Sequence, residues 1–365
     1  MGLSQVWWFP ISGKLGVTLF FVLSGFLITS LLLQELRIQN TVQLKNFYVR
    51  RILRIWPLYY SIVILSIAIL NHLSFLKIPV LSNDVYSHLS LTNILIIILI
   101  MPNFTNYIIP YAGQRWSIIV EEQFYLLQPI LLKLIRKTIL LSTIFTLIIL
   151  SPEILNAILQ IPIFNNIISP QAAMATFDKL KYFGCIAIGC MFSLLYFKGG
   201  LFRIRALLSK LVQYLALVTV LGSILVGTYI FHTIELIDYR LYALLFGIIV
   251  LNAAINPNTI FKLENRWLNF LGKISYGIYI YHVVCIGLAI YVATNLTTRP
   301  VYRNILIYLL TVSFTVLISW LSYRYFESFF LKLKSRINIS KKIGKSYQEA
   351  SHPVSPNSTL IQTLK

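Results

Sequence analysis

"GVTLFFVLSGFLITSLLLQE" (16–35) is the stretch whose reading decides the fold. It stays apolar over about the 20 residues that a helix needs to cross a bilayer, and its one charge, Glu35, stands at the end. Ser24, Gly25 and Thr29 occupy positions where a plain lipid anchor would carry leucine. Small residues inside a span let neighbouring helix backbones approach closely. The stretch is therefore expected to pack within a bundle, around a central site.

Comparable runs recur along nearly the whole chain. They predict helices over approximately 15–36, 50–71, 116–132, 138–151, 180–197, 211–231, 239–255, 268–294 and 303–326. The run "LSLTNILIIILIM" (89–101) is too short for a span and reads as re-entrant or interfacial. Of 365 residues, 58% are hydrophobic and 12% charged, against about a quarter charged in soluble domains. The fold class is accordingly all-α: a polytopic integral membrane bundle of about nine transmembrane helices plus that one segment. The apolar segment 152–178 is expected as an outer loop lying against the membrane.

Charge placement orients the bundle. Lys and Arg number 21 in the segments 37–54, 133–137, 198–210, 256–273 and 332–345, against eight in the alternate segments. By the positive-inside rule the richer side is cytoplasmic, which puts the C-terminus inside and the N-terminus outside a cell membrane. An outside N-terminus suggests that a first helix is missing before Met1. Residues 1–332 read as one membrane domain, and 333–365, basic and then rich in Ser, Asn and Pro, as a disordered cytoplasmic tail. The net charge of +20 does not point to nucleic acid, because the basic residues cluster between spans with no aromatic-interleaved patch. Cys185, Cys190 and Cys285 lie inside apolar segments as structural thiols. His72, His88, His232, His282 and His352 show no metal-site spacing, so no metal is expected.

Ionisable groups inside spans are costly and mark interior or cavity positions. In "QRWSIIVEEQFYLLQP" (114–129), Glu121 and Glu122 point about 100° apart on a helix, so at most one faces a narrow cavity. Gln114, Trp116 and Ser117 stand a turn or more before them. Such a group could bind a sugar hydroxyl, act as acid or base, or pair with a basic side chain. In "FYVRRILRIWPLYY" (47–60), Arg51 and Arg54 share a helix face, flanked by Arg50. Guanidinium forks at this depth suit an anionic cytoplasmic ligand such as phosphate. In "LGKISYGIYIYH" (271–282), Tyr276, Tyr279 and His282 form one polar-aromatic stripe, with Ser275 and Gly277 small enough for close helix contact. In "SYRYFESFF" (322–330), Arg324 and Glu327 are spaced for a mutual salt bridge.

These segments, in this order, resemble acyltransferase family 3, the membrane acyltransferases that O-acylate cell-surface polysaccharides, peptidoglycan, lipopolysaccharide and some small molecules. "GVTLFFVLSGFLIT" is similar to that family's second helix and "FYVRRILRIWPLYY" to its Arg-x-x-Arg helix start. "RWSIIVEEQFYLLQP" is similar to its tryptophan-serine and double-glutamate segment, "LGKISYGIYIYH" to its late serine-tyrosine helix and "SYRYFE" to its last helix. Together they span 16–330. The resemblance implies transfer of an acyl group, most simply acetyl, from cytoplasmic acyl-CoA to a hydroxyl of a carbohydrate or lipid-linked glycan, with no bound cofactor. Arg50, Arg51 and Arg54 would hold the CoA phosphates. Glu121 and Glu122 would be catalytic, and Ser24, Trp116, Ser117, Tyr276 and Glu327 would line the substrate cavity; His282, the only histidine placed within a span, is a further catalytic candidate as a substitute base.

Two departures stand out. Phe329 occupies the place of a proline in the family's terminal turn. Family members also carry an earlier helix with an arginine and a histidine held to be catalytic, and residues 1–15 contain neither, so weak activity is expected of this form. The competing reading is a transporter or flippase of a lipid-linked sugar, which also needs intramembrane charges.

Overall fold

The computed structural model describes residues 9–70, 73, 114–160, 170–226 and 238–337. Its elements are α1 (Phe9–Gln39), α2 (Leu44–Ala68), α3 (Arg115–Leu134), α4 (Thr138–Leu159) and α5 (Pro170–Ile204). They continue with α6 (Lys210–Val226), α7 (Asp238–Ile255), α8 (Arg266–Leu296) and α9 (Pro300–Ser322). A π-turn (Tyr323–Glu327) joins α9 to α10 (Ser328–Ile337), and no strand occurs among the described residues. Six stretches are long and apolar enough to cross a membrane: Leu15–Gln39, Leu44–Ala68, Thr138–Leu159, Lys179–Lys198, Arg266–Leu296 and Pro300–Leu333. Lys210–Ser223 and Tyr239–Ile255 are apolar but shorter. The molecule is a multi-pass all-α membrane bundle.

Three boundaries differ from the sequence expectation. Helix α4 continues through Pro152 to Leu159 instead of stopping at 151. A proline removes the N–H that would bond the carbonyl four residues back; here the Ser151 hydroxyl donates to that carbonyl, Ile148 O, at 2.7 Å. The expected outer loop 152–178 is correspondingly shortened, since α4 and α5 take up most of it. The last rod runs to Ile337, past the expected start of a disordered tail at 333. The segment 89–101, the histidines other than His282, and 338–365 lie outside the described residues.

Helices α1 and α5 cross backbone to backbone. A Cβ on Gly25 would stand 2.0 Å from Ile186 O, and one on Gly189 2.1 Å from Val22 O. The small residues of "LSGF" thus seat α1 against α5. Polar groups fasten the same seam: Ser30 and Ser193 share a hydrogen bond of 2.8 Å, and Gln128 of α3 donates to Thr29 at 2.5 Å. Around this crossing lies the larger apolar core, which includes Phe21, Phe26, Leu32, Phe145, Ile186 and Leu251. A second core joins α2, α3 and α8 through Leu58, Tyr59, Ile62, Ile118 and Ile280.

The loops that the charge count assigns to one side meet at one end. Arg136 donates to Asn40 O at 2.7 Å. Asn252 and Asn256 donate to Leu207 O and Leu208 O at 2.9 and 2.8 Å. At the opposite end, Arg240 of α7 pairs with Glu153 of α4.

Candidate active site

Between the two cores, walls from α1, α2, α3 and α8 enclose a cavity of about 760 Å³. Its apolar walls include Val17, Phe20, Leu23, Leu27, Ile55, Ile118 and Ile278, and its polar groups include Ser24, Arg51, Arg54, Gln114, Glu121, Tyr125, Tyr276, Tyr279 and His282. The α1 wall stays open at Gly13 and Gly16, where a Cβ would meet nothing within 4 Å.

Helix α8 is locked to α3 at the cavity's edge. Gln114 Nε2 donates to Ile280 O at 2.5 Å, and Tyr279 OH donates to Gln114 O at 3.0 Å. The Tyr279 ring stacks on Phe20, centroids 5.9 Å apart and planes 7° from parallel. One helical turn on, His282 Nδ1 lies 2.7 Å from the carbonyl oxygen of Tyr279. A carbonyl only accepts, so Nδ1 carries a proton there, and in the neutral ring Nε2 is left as an acceptor. Tyr276 crosses to α2, its hydroxyl donating to Ile55 O at 2.9 Å.

Glu121 is buried, 6% exposed. Its Oε1 accepts from Ser24 Oγ on α1 and from Tyr125 OH one turn along α3, and Oε2 takes no hydrogen bond from the described residues. Arg51 and Arg54, three residues apart on α2, reach the same cavity, and neither forms an ion pair or hydrogen bond with the described residues. Arg51 instead lies over the rings of Tyr125 and Phe47, at 5.0 and 5.8 Å from their centroids. One chamber therefore holds two guanidinium groups without an ion pair among the described residues, a carboxylate oxygen and an imidazole nitrogen.

The family model described as an acyltransferase domain matches residues 2–324. The chain belongs to acyltransferase family 3. The peptidoglycan O-acetyltransferase OatA of Listeria monocytogenes is 27% identical over 332 residues, covering 87% of this chain and 51% of the relative. A putative O-acetyltransferase of Staphylococcus aureus strain COL is 27% identical over 336 residues, covering 88% and 53%. The O-acetyltransferase OatA of Staphylococcus aureus strain NCTC 8325 is 26% identical over 332 residues, covering 87% and 52%. The chain spans about half the length of these curated relatives. No solved structure matches it at a significant level.

In this acyltransferase-3 chain the cavity gathers Ser24, Arg51, Arg54, Gln114, Trp116, Glu121, Ser275, Tyr276, Tyr279 and His282 out of the residues singled out from sequence. Four others stand off its wall. Ser117 is fully buried behind Tyr279, whose hydroxyl it meets. Glu122, rotated away from Glu121 on α3, accepts from Trp56 Nε1 at 3.3 Å. Arg50 pairs with Glu35 at 3.5 Å. Glu327 is buried against Gly277 and accepts from Ser322 at 3.2 Å.

The Arg324–Glu327 bridge that the spacing permits does not form. Those residues sit in a π-turn, whose wider turn breaks the three-residue register of an α-helix. Arg324 lies over Trp320 instead, 5.5 Å from its centroid. Sequence reasoning passed over Tyr125. Its position four residues after Glu121, on the same face of α3, was the signal that could have found it.

Proposed function

We propose that the chain forms the membrane part of an O-acetyltransferase, which moves an acetyl group from acetyl-CoA to a hydroxyl of a cell-surface carbohydrate. The observation that carries this reading is one cavity joining Arg51 and Arg54, which have no ion pair among the described residues, to Glu121 and His282. Guanidinium forks match phosphate oxygens bidentately, so the arginines hold the CoA phosphates and the thioester extends past Tyr125 toward Glu121. The end carrying 37–54 faces the cytoplasm, where acyl-CoA is found. The relatives' names, peptidoglycan O-acetyltransferase among them, favour a cell-wall glycan as acceptor.

In the reaction, Glu121 Oε2 takes the proton of the acceptor hydroxyl while His282 Nε2 accepts a hydrogen bond from a neighbouring hydroxyl of the sugar and so orients it. The hydroxyl oxygen attacks the thioester carbonyl. The tetrahedral adduct then collapses with cleavage of the C–S bond, and the departing CoA thiolate takes up the proton from Glu121. A positioned general base contributes about 10²–10⁴-fold, which is the loss expected of Glu121→Gln.

The test uses the purified chain in lipid nanodiscs with radiolabelled acetyl-CoA and soluble peptidoglycan fragments. Label should enter the glycan as an ester, and Arg54→Ala and Glu121→Gln should each abolish most of it. Glycan that crosses a proteoliposome membrane unmodified, with acetyl-CoA untouched, would overturn the reading in favour of a transporter.

A further inference from the structure

Both hydrogen bonds that Glu121 receives from the described residues fall on one oxygen. Ser24 comes from α1 and Tyr125 from the next turn of α3, and both donate to Oε1. A carboxylate is planar, so fixing one oxygen from two directions also fixes the direction of the other. Oε2 is thereby left free in the cavity. Tyr125 itself has almost no freedom: it is 3% exposed, and Phe47 meets its ring edge-on, at 6.4 Å and 89°. The open face of the ring carries the Arg51 guanidinium at 5.0 Å. One side chain thus touches both the carboxylate and a donor-site arginine, through two different parts of its structure.

We infer that Tyr125 is a positioning residue with two separable tasks: its hydroxyl aims Glu121 at the acceptor, and its ring is the platform that holds Arg51 for the anionic donor. The inference rests on the acetyltransferase reading above, and it assigns the two ends of the reaction to two atomic groups of one side chain. Ser24 shares only the first task, because it touches the carboxylate and no arginine. Tyr125 makes no bond with substrate and acts through its neighbours.

The separation is read from kinetic constants in nanodiscs. Tyr125→Phe keeps the ring and deletes the hydroxyl. Hydrogen bonds to charged groups are the strong ones, so kcat should fall about tenfold or more while KM for acetyl-CoA stays within about twofold. Tyr125→Leu deletes the ring as well. Loss of a cation–π platform should then raise KM for acetyl-CoA about fivefold on top of the same fall in kcat. Because the hydroxyl acts through Glu121, Tyr125→Phe should slow the Glu121→Gln enzyme by less than twofold.

Unfolding midpoints measured on each variant identify any that merely misfolds, and Tyr125→Phe, which removes a single oxygen, is the decisive one. An unchanged kcat in Tyr125→Phe overturns the inference, as does a full additional loss in the Glu121→Gln background or an equal rise of KM in the Phe and Leu variants. An inactive wild type removes the acetyltransferase reading and this inference together, whereas an active wild type with an unaffected Tyr125→Phe removes only the inference.

Discussion

Replacing Gly25 by alanine tests whether the α1–α5 crossing holds the bundle together. The added Cβ would stand 2.0 Å from Ile186 O, 2.9 Å from Ile186 C and 3.2 Å from Cys190 N, all backbone atoms. Ordinary contact begins near 3.4 Å, so the helices must part by about 1.4 Å at this point. No side chain can rotate to relieve the clash. Overpacking a tight core costs about 1–3 kcal/mol, and a backbone-to-backbone contact belongs at the upper end. Alanine's better helix propensity returns at most about 1 kcal/mol, leaving a net loss of about 2 kcal/mol. At the usual unfolding entropy per residue, a chain of 365 residues then loses roughly 2–3 °C in its unfolding midpoint. The matched control is Gly222→Ala on α6, where a Cβ meets nothing within 4 Å and the substitution should be neutral or mildly stabilising. Thermal unfolding of the three proteins in one detergent, followed by tryptophan fluorescence, makes the comparison. Equal midpoints for Gly25→Ala and Gly222→Ala would refute the close crossing. Ser24 adjoins Gly25 and bonds Glu121, so Gly25→Ala should also lose acetyl transfer below its own midpoint.

Glu122→Gln should retain activity within about threefold where Glu121→Gln loses at least about a hundredfold, because Glu122 faces Trp56 and not the cavity; equal losses would contradict that assignment. Arg54→Lys should recover only part of the acetyl-CoA affinity lost in Arg54→Ala, since an ammonium cannot supply a bidentate fork, and titration with acetyl-CoA reads the difference. Ser151→Ala should destabilise the chain by about 1 kcal/mol, because Pro152 leaves Ile148 O with the Ser151 hydroxyl as its donor; an unchanged midpoint would show that the carbonyl has another partner. Single cysteines at Ser209 and Arg299 should react with an impermeant thiol reagent from opposite sides of the membrane, and labelling from one side would overturn the arrangement of the loops.

By itself the sequence determined the solvent of each segment. Runs of about 20 apolar residues can be stable only in lipid or in a bundle, and that sufficed for the membrane class and the α-helical fold. The positions of the major helices followed, along with the grouping of the basic loops at one end. Helical spacing alone put Arg51 beside Arg54, aligned Tyr276, Tyr279 and His282, and separated Glu121 from Glu122. The order of the motifs pointed to the family that the chain belongs to.

What only the tertiary structure decided was the partner of each polar face. Hydropathy says how apolar a span is and not which neighbour it meets, so it cannot say that Gly25 meets Ile186 rather than another helix, or that Gln114 reaches Ile280. Those choices rest on close backbone approach and on hydrogen bonds between residues more than 150 positions apart. The 100° between Glu121 and Glu122 showed that only one could face the cavity. Which one depended on where α1 and α2 lie around α3: Ser24 and Tyr125 took Glu121, and Trp56 took Glu122. Ser117 and Glu327 stand off the wall for the same reason, because neighbouring helices and a π-turn set the direction of a side chain that its own helix leaves open.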